Sequence, residues 1–200
     1  MNRKADVLPA ELAARNTAGG HVPGEPSMWF FVIGDLFIFG VYFVSYLWFR
    51  SADHALFLDS QRHLNQDIGV VNTVILLTSS LFVALGTAAA RGGNARHALR
   101  LFGFALACGA AFPVLKAFEW IPEIAAGYRP GTNLFFMYYY VLAGMHLCHV
   151  LLGLMILGFV MRELRQSRAP RIRFVETGAT YWHMVDLLWL VLFALLYLMR

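Results

Sequence analysis

The chain has 200 residues, of which 59% are hydrophobic and only 14% charged, and its formal net charge is +4. Typical soluble proteins carry roughly a quarter charged residues, so the composition excludes an ordinary water-soluble domain. A basic balance would suggest nucleic acid as a partner for a soluble protein, but here Lys and Arg cluster between apolar runs, where they read as topology determinants, and no nucleic-acid partner is expected.

Residues 1–26 carry Arg3, Lys4 and Arg15 and are interrupted by Pro9, Gly19, Gly20, Pro23, Gly24 and Pro26. No apolar stretch directly follows this basic start, as a cleaved signal peptide would require, so 1–26 read as a cytoplasmic tail and 27–200 as the membrane domain. The first span covers about 28–49, with Pro26 placed as helix starts favour. A polar loop follows at 50–67. The second span covers about 68–90 and ends in a tight basic turn, ARGGNAR (90–96). The third covers about 98–121, with Pro113 as the site of a kink, and leads into a turn-rich loop at 122–133. The fourth, about 134–161, exceeds one bilayer thickness and should tilt or project past the surface. A basic loop at 162–173 precedes the fifth span, about 177–199.

Each run is long enough for a hydrocarbon core of roughly 30 Å. With no water at that depth, backbone groups must pair within the segment, so the runs are helices. The expected fold is an all-α, polytopic membrane protein, a bundle of five transmembrane helices. With the amino terminus inside, eleven Lys and Arg residues face the cytoplasm and four the opposite side. That bias places the N-terminus in the cytoplasm and the C-terminus outside.

Ionisable residues inside spans are costly and need a reason. They are Asp35, Lys116, Glu119, His146, His149, His183 and Asp186. Lys116 and Glu119 are three apart, so they share a helix face and can pair; His146 with His149 and His183 with Asp186 have the same spacing. The two histidines of the fourth span leave from one face of one helix and cannot ligate opposite sides of one haem. His183 lies at a different depth, and a copper or zinc site would want further ligands at one level. The plainer reading is that these histidines bond to neighbouring helices or lipid. A structural ion pair is the plain reading of Lys116 and Glu119, and Asp186 is expected to bond to a neighbouring helix.

Asp35 lies about 10 Å into the bilayer at 1.5 Å per residue. His183 reaches a similar depth and is a possible partner. A charged Asp facing lipid at mid-helix would cost about 2.5–3.5 kcal/mol, so Asp35 should point into the protein. Trp29, Trp48, Trp120 and Tyr138–Tyr140 lie near span ends, as interfacial anchors do. Gly34, Gly40, Gly86, Gly103, Gly109, Gly144 and Gly153 would let helices pack closely. Cys108 and Cys148 form no CxxC pair and read as small packing residues. Neither a phosphate-binding loop nor a nucleophile or haem-attachment motif is present in the 200 residues.

Several stretches resemble subunit III of the haem-copper oxidase superfamily. ETGATYWHMVDLLWLVLFALLYL (176–198) is similar to the family's last helix with its YWHxVDxxW core, with Tyr181, Trp182, His183, Val185, Asp186 and Trp189 in the matching positions. LAGMHLCHVLLG (142–153) resembles the TGxHxxHVxxG helix through His146, His149, Val150 and Gly153, with Ala143 where Thr is usual. KAFEW (116–120) resembles QxxEY, with Glu119 in the acidic position and Lys116 replacing the glutamine. NTVILLTSS (72–80) resembles LNTxxLLxSS, and FVIGDLFIFG (31–40) resembles FIxSExxxF with Asp35 in the acidic position. The resemblance covers about residues 25–199.

Longer members have seven spans, so two N-terminal spans are missing here. That shortness, Asp35 in place of Glu, and the FFMYYYVLAGMH segment (135–146) look like the NorE-type branch that accompanies nitric oxide reductase. The resemblance implies an accessory subunit that binds neither haem nor metal, since those belong to catalytic subunit I. It also implies packing against that subunit, phospholipid binding, and support of assembly and proton uptake. The expected setting is respiratory electron transport or denitrification in a bacterial cytoplasmic membrane. No catalytic or metal residue is expected; Asp35, Glu119, His146, His149, Tyr181, His183 and Asp186 are the intramembrane polar or interface candidates. The alternative is a stand-alone transporter or channel lined by these groups, although the internal repeat that many transporters show is not visible.

Overall fold

The computed structural model describes residues 26–167 and 170–199; the expected N-terminal tail, Pro26 aside, lies outside the described residues. The elements are α1 (Pro26–Ala52), α2 (His54–Gln61), α3 (Gln66–Arg91), α4 (Ala95–Ala125), α5 (Leu134–Gln166) and α6 (Ile172–Phe193), the last widening into a π-helical turn over Ala194–Leu198. Among the described residues, five helices are long and apolar enough to cross a membrane: α1, α3, α4, α5 and α6 with its terminal turn.

The helices outrun the apolar stretches that announce them. The turn-rich loop expected at 122–133 is helical to Ala125, and the basic loop expected at 162–173 is helical to Gln166 and again from Ile172. Hydrogen bonding along a helix does not stop where hydrocarbon does, so polar end turns continue it. The starts are set by capping asparagines, whose side-chain oxygens accept backbone N–H groups the first turn leaves unpaired. Asn65 accepts from Asp67 and Ile68, Asn94 from His97, and Asn133 from Phe136. The α3–α4 turn is tight because Gly93 adopts φ +75°, a conformation that glycine takes without steric cost. The α4 helix runs unbroken through Pro113 and Pro122.

The expected polar loop at 50–67 contains α2, a correction with a clear cause. Phe57 is fully buried and packs edge-on against Tyr46 and Phe135. Asp53 caps the helix by accepting from Leu56 N at 3.2 Å. Gln61 Nε2 donates to the carbonyls of Leu195 and Leu196, each at 3.2 Å, and Tyr46 Oη donates to Leu195 O at 3.2 Å. At a helix C-terminus the last carbonyls lack partners; here α1 and α2 supply them.

The last span is the central one, with 61% of its apolar window buried, against 17% for α1. It packs against α3 and α5, and α3 packs along α4. Trp182 fills the middle: a Cβ added at Gly109 would lie 2.6 Å from its ring, and one at Gly153 2.8 Å. In the same way a Cβ at Gly178 would lie 2.8 Å from Val160, and one at Gly86 3.1 Å from Phe102. Gly34 and Gly40, expected to mediate close packing, have nothing within 4 Å. They lie on α1, the outermost helix, beside exposed Phe30, Phe37 and Trp48.

Candidate functional site

The polar residues gather in three places between α6 and its neighbours. The first centres on Lys116 and Glu119, both on α4 and both nearly inaccessible. Lys116 Nζ lies 2.7 Å from Glu119 Oε2 and donates to Tyr197 Oη at 2.8 Å, with Tyr139 Oη at 3.4 Å. Tyr197 Oη donates to the other carboxylate oxygen, Glu119 Oε1. Trp120 Nε1 donates to Tyr139 Oη at 3.2 Å. The ammonium also stands 5.0–5.3 Å from the ring centroids of Tyr139, Trp189 and Tyr197, within cation–π range. Burying two charges is costly, and their attraction offsets that cost only when remaining donors and acceptors are also met. Here all three ammonium protons have acceptors, so the cluster joins α4, α5 and the end of α6.

Tyr139 and Trp120 are therefore more than interfacial anchors. Phe135, Tyr139, Leu142 and His146 recur at helical spacing along one face of α5, and all four are buried. That periodicity was the available signal for separating Tyr139 from its neighbours in the aromatic run. Nothing local pointed to Tyr197.

The second place is the pair of α5 histidines, which the fold separates. His146 is fully buried, and its Nε2–H donates to Val185 O at 3.1 Å. Its ring lies 5.2 Å from those of Phe112 and Trp189, and Nδ1 has no hydrogen-bond partner among the described residues. His149 points instead to α1. Its Nδ1–H donates to Met145 O at 2.7 Å, and Nε2 stands 3.4 Å from Asp35 Oδ2. Asp35 thus faces the protein and meets His149, not His183. Tyr181 Oη donates to His149 O at 3.4 Å, and its ring approaches Phe31.

The third place is on α6 facing α3. His183 Nδ1 lies 2.7 Å from Ser80 Oγ, and Trp189 Nε1 donates to Thr73 Oγ1 at 3.0 Å. Asp186 is buried, yet neither carboxylate oxygen has a hydrogen-bond partner among the described residues. The expected bond to a neighbouring helix is reduced to a loose approach to Ser80, whose hydroxyl also engages His183 at 2.7 Å. Replacing Asp186 with Asn keeps the shape and adds an N–H donor. The purified chain should then melt no lower, and gain up to about 1 kcal/mol if the amide finds an acceptor. A loss above about 2 kcal/mol on thermal unfolding would show that the carboxyl has a partner, a penalty typical of a broken buried polar contact.

Sequence reasoning missed Arg50, read as a loop charge but buried, with Nη2 donating to Met199 O at 2.6 Å. It also missed Arg91, whose Nε donates to Glu176 Oε1 at 2.8 Å, and Asn72, whose buried amide has no hydrogen-bond partner among the described residues. Among the described residues, no three His, Cys, Asp or Glu side chains converge as metal ligands.

This arrangement defines a class: a multi-pass helical membrane protein whose polar side chains tie its own helices together. The family model for cytochrome c oxidase subunit III matches residues 25–200, and the chain belongs to that family. Cytochrome c oxidase subunit 3 of Thermostichus vulcanus is 31% identical over 172 residues, 84% of each chain. The same subunit of Synechocystis sp. is 34% identical, covering 84% of this chain and 72% of the relative. The heme-copper oxidase subunit I+III of Aeropyrum pernix is 27% identical across 86% of this chain, which covers 22% of that protein.

Proposed function

We propose that the chain is an accessory subunit, carrying no redox centre, of a haem-copper oxidoreductase complex, seated against catalytic subunit I. The observation that carries the reading is the family match across residues 25–200. The Aeropyrum relative, named as subunits I and III together, supports the choice of partner. The separate engagements of His146 with Val185 O and of His149 with Met145 O and Asp35 support a chain that binds no haem. Its role in this reading is to stabilise assembly, hold phospholipid and sustain proton uptake by subunit I, with Asp35, Glu119, His146, His149, Tyr181, His183 and Asp186 as the polar set within the membrane. The Lys and Arg bias supports a cytoplasmic N-terminus in a bacterial cytoplasmic membrane.

A terminal oxidase is the first reading of the complex. Short length does not separate the branches, since the Thermostichus relative is covered to 84% by an alignment of 172 residues. Asp35 and the 135–146 segment favour a nitric oxide reductase complex of the NorE type as the second reading. Purification of the tagged full chain in mild detergent tests both. A haem-bearing catalytic subunit should co-purify in near-equal amount, and consumption of oxygen or of nitric oxide by the eluate identifies the branch. Recovery of the chain alone would favour a stand-alone transporter or channel, and a Soret band in the isolated chain would overturn the non-redox assignment.

A further inference from the structure

A polar seam runs between α3 and α6. At its mouth, near the start of α6, Arg91 pairs with Glu176 at 2.8 Å. From there a groove of about 250 Å³ passes Thr87 and Thr180 and reaches His183, its walls kept low by Ala84, Ala88 and Ala179. At about 30 Å³ each, several water molecules fit. Thr87 donates to Val83 O at 2.9 Å and Thr180 to Glu176 O at 3.0 Å, which leaves both hydroxyl oxygens as acceptors for water. At the inner end His183 Nδ1 lies 2.7 Å from Ser80 Oγ, and Ser80 in turn approaches Asp186.

Asp186 is 4% exposed and lies near the middle of the 27-residue span Ile172–Leu198. An ionisable group at that depth is costly and calls for a function. The titratable groups that the packed helices present to α6 are Arg91 from α3, Lys116 and Glu119 from α4, Tyr139, His146 and His149 from α5, and Asp35 from α1; His183 stands one turn before Asp186 on α6 itself. Among the described residues none of them forms an ion pair with Asp186. Beyond Asp186 the seam is shut. Trp189 Nε1 donates to Thr73 Oγ1 at 3.0 Å, and a Cβ at Gly69 would lie 3.0 Å from the rings of Phe193 and Tyr197.

We propose that Asp186 is the blind end of a proton path, loaded and unloaded from the end of the bundle where α6 begins, through water in the α3–α6 groove, His183 and Ser80. One proton from the groove enters the His183 ring, and Nδ1 gives one up to Ser80 Oγ. The hydroxyl's own proton passes to the Asp186 carboxylate. One proton leaves the water and one arrives at the carboxyl, so His183 and Ser80 keep their composition; unloading reverses the same transfers. A metal cation does not suit the seam, because among the described residues no three His, Cys, Asp or Glu converge. The path goes beyond the accessory role and needs no catalytic partner, so it stands or falls separately from the proposed complex.

The test uses the full chain in phosphatidylcholine vesicles, followed by infrared difference spectroscopy. A pH step should change one C=O stretching band of a protonated carboxyl that D186N removes. On transfer to heavy water that band should shift by hydrogen exchange. S80A and H183L should each slow the shift about tenfold, the rate equivalent of one hydrogen bond lost from the path. A88F, at an exposed residue of the groove that touches neither Ser80 nor His183, should slow it as well. The blind end is read separately: vesicles holding the chain should keep an imposed pH gradient as long as the same vesicles holding D186N. The absence of a carboxyl band sensitive to D186N would overturn the proposal. So would exchange unslowed by S80A, H183L or A88F, or a proton leak that D186N abolishes, which would make the seam a channel.

Discussion

Replacing Lys116 with Met should destabilise the chain by about 3–5 kcal/mol, the cost of leaving one member of a buried ion pair without its partner. The side chains of Lys116 and Glu119 are each 1% exposed, so no water replaces the lost ammonium. Tyr197 would still donate to Glu119, but the second carboxylate oxygen would lose its donor, and the Tyr139 hydroxyl would keep only that of Trp120. The double variant K116M/E119Q should recover most of the loss, because it removes the charge along with its partner. Unfolding of the four proteins of this double-mutant cycle, in one detergent, isolates the pair energy. A K116M chain within about 1 kcal/mol of the unaltered protein, as expected for an exposed pair, would mean that the pair is solvated.

Trp182→Ala should cost a similar amount, about 3–5 kcal/mol, the range for deleting a large buried aromatic. The site is badly placed to collapse. Gly109 and Gly153 bound the ring on α4 and α5 and have no side chains to move into the void. The loss should therefore fall at the upper end of the range. Trp48→Ala, at a residue 74% exposed, should stay within about 0.5 kcal/mol. Equal effects at the two positions, measured by the same unfolding transition, would show that Trp182 does not organise the packing.

How far the sequence was legible follows from which forces act locally. The five spans were readable because hydrocarbon thickness imposes their length and apolarity. Their ends were not, since Ala95–Ala98 and Arg162–Gln166 are polar or neutral turns that hydropathy leaves out and helical hydrogen bonding keeps. The α2 helix was invisible for a different reason: Phe57 and Gln61 acquire partners only from Tyr46, Phe135 and the carbonyls of Leu195 and Leu196. The same split runs through the polar residues. Spacing alone allowed Lys116 to pair with Glu119 and placed both histidines on α5. It did not foresee Tyr197 closing the ion pair from 78 residues beyond Glu119, nor Ser80 engaging His183 in place of Asp35. The glycines divide likewise, because whether one faces a tryptophan or open lipid depends on the neighbouring helix.

The central position of α6 sets an order of manufacture. A ribosome delivers this helix after the other five, yet it carries partners of several polar groups made before it: Tyr197 for Lys116, Val185 O for His146, His183 for Ser80, and the terminal carbonyls for Arg50 and Gln61. Until residue 172 leaves the exit tunnel, the earlier helices hold those groups without their final contacts. A chain that stalls there presents α1, α3, α4 and α5 around an empty axis, with the Lys116 ammonium short of an acceptor. Half-made copies therefore hold the Lys116–Glu119 pair without Tyr197, and finished ones do not.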